Sequence, residues 1–211
     1  MSRPALDSAA IASIAAQLAG ADCHLNKVYQ RLGPPPVWKR PATFATLVRI
    51  ILEQQVSLAS ARNTFARLSV ACNGSVSAPA IIDLGDQSLR QIGFSSQKSR
   101  YAIALADDVV EKRLRVGSLR YASDEAVRAQ LTSRLGLGNW SADVFLMTAL
   151  SRDDVFPVGD LALMKGMMAL DGGDYSTPEA MIARAERWRP YRSVAVRMIW
   201  QFYLDSRGQR A

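Results

Sequence analysis

Asp160 closes the loop Phe156-Pro157-Val158-Gly159-Asp160 and stands directly before a helical run that begins at Leu161. Upstream of it, Gly136-Leu137-Gly138 separates two helical runs, and Asn139, Trp140 and Ser141 open the second of them. Two glycines around one apolar residue permit a hairpin too tight for side chains, with Leu137 turned inward to fix it. The backbone can then approach a phosphate closely. The N–H groups at the start of the next helix are donors without intrahelical partners, and the helix dipole favours an anion there. That arrangement grips a nucleic-acid backbone without reading its sequence, although a plain structural turn satisfies the same letters. Asp160 caps its helix in either case. A capping carboxylate is also a fixed negative charge, and such a charge stabilises a positive centre such as the sugar carbon of a breaking glycosidic bond. Asp153 and Asp154 lie close by, but Arg152-Asp153-Asp154 reads as a solvated turn. A phosphate grip followed at short range by a lone acid points to chemistry on a nucleic acid.

The elements that must position these residues read as helices throughout. An Ala-rich run over 7–18, with Ile11, Ile14, Ala15 and Leu18 at helical spacing, is opened by Asp7 or Ser8 as a cap. A second helix is expected over 22–32, and Gly33-Pro34-Pro35-Pro36 stops it in an extended linker. From Thr43 to Val70 the apolar period continues for longer than one ordinary helix, so a break is placed at Gln54-Gln55-Val56-Ser57, with Ser57 capping the second half. This leaves the uncharged amides of Gln54 and Gln55 at a helix junction, either solvated or functional. Short helices follow over 79–84 and 86–92, then a longer one from about Gln97 to Lys112. Lys98 and Arg100 lie in its first turn, where the dipole disfavours cations, so either they serve something anionic or they form a solvated face. Ser123-Asp124-Glu125 opens the helix that ends at Arg134, Thr177-Pro178-Glu179 opens a later one, and the last helix is expected to contain Trp188 to Ser193. No strand-period alternation of useful length appears, so the predicted fold is all-α.

Composition narrows the partner. The chain has 211 residues, 49% hydrophobic and 21% charged, which is enough to bury a core without disulfides or metals. Lys and Arg outnumber Asp and Glu by 26 to 19, the formal charge is +7 and the pI is near 9.8, so an acidic partner is expected. The two cysteines, Cys23 and Cys72, form no CxxC pair, and His24 is the single histidine, expected in a structural role. Neither a metal site nor Ser-His chemistry is predicted. No leader pattern and no apolar run of roughly 18 residues is present, so no membrane contact is expected and a reducing cytoplasm fits.

The pattern LGLGNWSADVFLMTAL, a short spacer and DVFPVGD resembles the helix-hairpin-helix DNA glycosylase superfamily, in its 3-methyladenine DNA glycosylase II branch. Three further segments agree in order: FATLVRIILEQQVSLASA at 44–61, LRQIGFSSQKSRYAIALA at 89–106 and ERWRPYRSVAVRMIW at 186–200. The resemblance implies two helical lobes with a DNA-binding cleft between them. One lobe covers about 37–158 and includes the hairpin; the other joins about 1–36 to 159–211. It implies that Asp160 is the catalytic aspartate, and that Trp140, Trp188 and Tyr191 line the base pocket. Gly136, Leu137, Gly138, Asn139, Ser141, Gln54, Gln55, Ser57 and Lys98 are implied to meet DNA, one of the two glutamines filling the gap left by a flipped nucleotide. Two departures matter. Leu135 stands where the family often has proline, and Trp140 stands where the strand-cutting lyases of the superfamily place a lysine, so no Schiff base is expected. Two cysteines also exclude the four-cysteine iron-sulfur cluster of some relatives.

The implied activity is excision of alkylated purines of the 3-methyladenine and 7-methylguanine type from double-stranded DNA, by a monomer in a bacterial-type cytoplasm at the nucleoid. Hydrolysis of the N-glycosidic bond leaves an abasic site and no strand break. N3- or N7-alkylation makes the base cationic and a good leaving group, and aromatic faces attract it by cation-π contact worth roughly 0.5–2 kcal/mol. No cofactor is required, with a monovalent cation at the hairpin-phosphate contact left open. The alternatives are a glycosylase for oxidised, deaminated or mismatched bases, and a helix-hairpin-helix module that binds DNA without catalysis.

Overall fold

A computed structural model describes residues 6–208 of the chain, and every regular element among them is helical. The chain divides into two compact units. One joins the two ends, Met1–Lys39 and Ser151–Ala211; the other is the middle, Arg40–Leu150.

The first unit begins with α1, Ser8–Ala21, and α2, Cys23–Leu32. Asp7 caps α1 by accepting from the Ala10 N–H at 2.8 Å. Asp22 caps α2, accepting from the His24 N–H at 3.0 Å and the Leu25 N–H at 3.3 Å. The middle unit follows with α3 (Phe44–Glu53), α4 (Leu58–Ala71), α5 (Ala78–Ile92), α6 (Ser96–Val110), a 3-10 turn over Val116–Tyr121, α7 (Asp124–Thr132) and α8 (Asn139–Thr148). The break expected between α3 and α4 is present, and Ser57 accepts from the Ser60 N–H at 3.2 Å. Gly85, at φ +67°, kinks α5 where two short helices were expected. The 3-10 turn was not read from the sequence. The first unit resumes with α9 (Leu161–Asp171), α10 (Pro178–Ala185), a 3-10 turn over Glu186–Trp188 and α11 (Arg192–Ser206).

The last helix corrects an expectation, because it contains Arg192 and Ser193 but leaves Trp188 to Tyr191 outside it. Arg189 is extended at φ −61° and ψ 143°, and α11 starts only at Arg192. Pro190 provides the reason: its ring pushes the preceding residue out of the helical region and it offers no N–H.

Each unit is built around helices buried on nearly every side. In the middle unit α8 buries Ser141 to Thr148 without interruption, and α3 buries eight of its ten residues. In the other unit α11 buries Ser193 to Ile199. The charges taken inside are paired. Glu53 receives both guanidinium nitrogens of Arg40, at 2.8 and 2.9 Å, and Asp143 receives the Arg128 Nε at 2.7 Å.

A second buried cluster ties α2, α9, α10 and the turn before α11 together. Arg184 lies between Asp22 at 2.8 Å and Asp171 at 2.9 Å, and its guanidinium sits 4.7 Å from the centre of the Trp188 ring. The Trp188 indole N–H donates to Asp22 at 3.0 Å. Burial alone would raise the Asp22 carboxyl, but hydrogen bonds from Arg184 and Trp188, the Arg184 charge and the Leu25 N–H outweigh it and lower it to about 2. A depressed folded value stabilises the protein above the ordinary carboxyl range, and that stability disappears as pH falls toward the folded value. Asp22→Asn should therefore cost about 2 kcal/mol at pH 7. In denaturant unfolding the gap to the wild type should close steadily below about pH 4.

Candidate nucleic-acid interface and acid site

The hairpin forms because α7 ends in a tight turn and not in an open loop. The Arg134 N–H bonds to Leu131 O at 3.0 Å, and the Leu137 N–H bonds to Arg134 O at 3.2 Å. Gly136 sits at φ +83°, and a Cβ there would lie 2.2 Å from Cγ of Tyr101, so both the turn and the close approach of α6 require glycine. Leu137 is buried at 4% exposure, as a plug for the turn. Gly138 is the residue before α8, extended, exposed and without a side chain to cap it, so the first N–H groups of α8 receive no side-chain cap. Asn139 is exposed beside it, and Trp140 is half-buried.

The junction of α3 and α4 reaches the same place. Gln54 is partly buried and donates from Nε2 to Gly136 O at 2.8 Å and to Ser141 Oγ at 3.0 Å. Gln55 is exposed and left-handed, at φ +55°. Lys98, from the first turn of α6, donates from Nζ to Leu52 O at 2.7 Å and to Gln54 O at 2.8 Å. Burial depresses the pKa of its ammonium. An open recess of about 690 Å³ lies here, lined by Gln54, Gln55, Gln97, Lys98, Tyr101 and residues 132–138. The DNA-facing residues expected from the sequence thus belong to two stretches that meet in the middle unit, 54–57 with Lys98 and 136–141. Ser57 spends its hydroxyl on the α4 cap.

In the other unit the loop before α9 turns at Gly159, φ +82°, and delivers Asp160 as the α9 cap. Asp160 Oδ1 accepts from the Leu163 N–H at 2.7 Å and from the indole N–H of Trp200 at 3.1 Å, and the residue is 8% exposed. The second bond exists because α9 and α11 pack unusually close. A Cβ on Gly166 would lie 2.6 Å from a methyl of Ile199 and 3.2 Å from its carbonyl. Trp200 in turn meets Trp38 edge to face, with centroids 6.3 Å apart. Neither tryptophan was singled out from the sequence. Trp200 lies forty residues from Asp160 and α11 carries no local mark of the contact; only its place at the end of the 186–200 segment could have drawn notice.

Other expected residues are placed differently. Trp188 is in the core at 1% exposure, its N–H committed to Asp22, so burial removes it from any pocket wall. Tyr191 is half-buried at the start of α11. The expected solvated turn at 152–154 is instead an ion cluster, because Asp154 receives the Arg192 Nε at 2.7 Å and Arg189 NH1 at 2.9 Å. His24 Nδ1 lies 3.2 Å from Leu170 O, a contact between α2 and the end of α9. Among the described residues no group of three or more His, Cys, Asp and Glu side chains could hold a metal ion, and no helix is long and apolar enough to cross a membrane.

An all-helical chain with a glycine hairpin and a capped acid defines a class, and residues 48–190 match the family described as HhH-GPD superfamily base excision DNA repair protein. The chain belongs to that superfamily. It is 29% identical to a DNA-3-methyladenine glycosidase of Bacillus halodurans whose crystal structure superposes with a TM-score of 0.74, over 98% of this chain and 94% of that one. The fold also matches 3-methyladenine DNA glycosylase of Schizosaccharomyces pombe in complex with abasic DNA, at a TM-score of 0.81 and 23% identity over 90% of this chain and 95% of that one. Against YfjP of Bacillus subtilis it is 27% identical over 84% of its own length and spans 64% of that relative.

The two hairpin glycines should separate under substitution. Gly136→Ala meets both positive φ and the Tyr101 ring, and should cost about 1–3 kcal/mol in thermal or denaturant unfolding. Gly138 has nothing within 4 Å of an added Cβ. Gly138→Ala should leave stability within about 0.5 kcal/mol while weakening duplex binding in a titration at low salt.

Proposed function

We propose that this protein is a DNA glycosylase that removes alkylated purines from double-stranded DNA by hydrolysing the N-glycosidic bond. The product is an abasic site in an uncut strand. The observation that carries the reading is Asp160, a nearly buried carboxylate held by the Leu163 N–H and the Trp200 indole in a chain of a base-excision superfamily. Two fixed donors on one oxygen set the plane of the carboxylate before substrate arrives, so no reorganisation is needed when charge develops.

An alkylated purine carries a positive charge and leaves as a neutral base, so the bond breaks without strong acid catalysis. As it breaks, the sugar carbon becomes oxocarbenium-like, and Asp160 stabilises that charge and orients or deprotonates the attacking water. The half-buried faces of Tyr191 and Trp200, in the unit that carries Asp160, offer an electron-rich surface to which a cationic base is drawn. The hairpin from Gly136 to Asn139 grips the DNA backbone with its uncapped helix start. Gln55 fills the gap left by the flipped nucleotide: it is exposed, whereas the Gln54 amide is spent inside the protein. Trp140 supplies no amine, so no Schiff base and no strand cleavage follow. The protein acts on chromosomal DNA in the cytoplasm as a monomer, and needs no cofactor beyond a monovalent cation that the hairpin carbonyls could share with a phosphate.

Asp160→Asn retains an oxygen for the cap and removes the charge. It should lower excision of 7-methylguanine and 3-methyladenine on the order of a hundredfold or more with little change in melting temperature. A variant that excises at the wild-type rate would remove Asp160 from the mechanism. Trp200→Phe keeps an aromatic face but withdraws the indole N–H, and should cost about tenfold in single-turnover rate. A panel of duplexes, each with one alkylated, oxidised, deaminated or mismatched base, read by alkali cleavage, tests the substrate class. Borohydride should trap no covalent adduct, and an adduct would overturn the monofunctional reading.

A further inference from the structure

We propose that Gln54 is a positioning residue that sets the distance between the backbone grip and the wedge at Gln55. The inference rests on the glycosylase reading above. Gln54 is the first residue beyond α3, in an extended conformation at φ −62° and ψ 126°. Side chains at helix ends usually lie in solvent, yet this one crosses to the hairpin. Its Nε2 donates to Gly136 O at 2.8 Å and to Ser141 Oγ at 3.0 Å, and Ser141 is 2% exposed. The peptide between Gly136 and Leu137 is thereby pinned at both ends, its oxygen by Gln54 and its N–H by Arg134 O at 3.2 Å. The main chain of Gln54 is held from another side, where its carbonyl accepts from Lys98 Nζ at 2.8 Å.

Its consequence concerns the neighbouring residue. Gln55 sits at φ +55° between Gln54 and the Ser57 cap of α4, so its backbone follows theirs. Beyond the packing of α3 on α8, the Gln54 side chain is the hydrogen-bonded link that ties its position to the hairpin. Opening a duplex costs a few kcal/mol in lost stacking and pairing, recovered only if the wedge enters while the phosphate is gripped. A brace between the two keeps them in register. If Gln54 only satisfied a buried carbonyl, its loss would lower stability and leave the DNA steps in proportion.

The test uses the full chain with Gln54→Met, Ser141→Ala and the double variant. Gln54→Met keeps the volume and removes both donors. On a duplex carrying one 7-methylguanine, its half-saturating concentration in single-turnover assays should rise about tenfold, with the plateau rate within about twofold of wild type. Ser141→Ala should give a smaller rise, about threefold, and the double variant should be no worse than Gln54→Met alone, since both act through one contact. The fluorescence rise of 2-aminopurine beside an abasic analogue on binding should be reduced in the same order. Wild-type saturation in Gln54→Met, additive losses in the double variant, or a loss confined to the plateau rate would overturn the proposal. Should Gln54→Met fail to melt cooperatively, Ser141→Ala decides alone, and wild-type saturation there overturns it too. The 2-aminopurine measurement requires no excision, so a wild-type protein inactive on alkylated duplexes would reject the glycosylase reading while the brace is still judged by binding.

Discussion

A helix buried along its whole circumference cannot slide or rotate without opening a cavity, and truncating one large buried side chain to alanine already costs roughly 2–5 kcal/mol. α8 is such a helix over Ser141 to Thr148, and α11 is another over Ser193 to Ile199. What emerges at their ends is fixed by what lies inside. The hairpin is the entry to α8, and Trp200 is the first residue of α11 to regain partial exposure. The hairpin and the Trp200–Asp160 contact thus sit on loops and helix ends whose coordinates are set by cores and not by the loops themselves.

The price of burying α11 so deeply is a charge inside it. Arg197 is 2% exposed, and burial draws its pKa down to about 10, which still leaves it protonated at neutral pH. It donates to Ser193 O at 2.9 Å within its own helix and to Val37 O at 3.2 Å. The second bond explains a stretch that composition alone describes as a linker. The prolines at 34–36 remove N–H groups and keep the chain extended, but the segment they begin is anchored through Val37, and Trp38 beside it reaches the edge of Trp200. Successive prolines here deliver a tryptophan to a fixed address next to the indole that holds Asp160.

How much of this was legible in the sequence follows from how far each signal reaches. Caps operate over three residues, and Asp7, Ser57, Ser123, Thr177 and Asp160 all cap the helices that their positions announced. The hairpin glycines are equally local. The contacts that complete the site are not: Gln54 reaches across 82 residues to Gly136, Lys98 across 46 to Leu52 and Trp200 across 40 to Asp160. No periodicity encodes them, and the ordered resemblance of four segments to one superfamily is what brought these regions together on paper. Aromatic type alone misled at Trp188, since an indole suits a base pocket and a core equally well. There the deciding feature was Asp22, 166 residues away, which accepts its N–H. Pro190 is a local signal of the same reach as a cap, and it ends one helical segment before α11 begins at Arg192.

Lys98 shows how a correct electrostatic premise can lead to a different partner. A cation in the first turn of α6 faces the positive end of that helix's dipole, a mild penalty that solvent or a nearby negative group offsets. DNA phosphate is one candidate from the sequence, but the ammonium meets Leu52 O and Gln54 O, at the partly buried carbonyl end of α3. A helix C-terminus carries about half a negative charge and repels phosphate. α3 ends beside the hairpin, and Lys98 covers its carbonyls. Removing that cover would leave a negative helix end next to the positive start of α8, two fields that cancel. The lysine therefore neutralises a helix terminus whose sign opposes that of the α8 start.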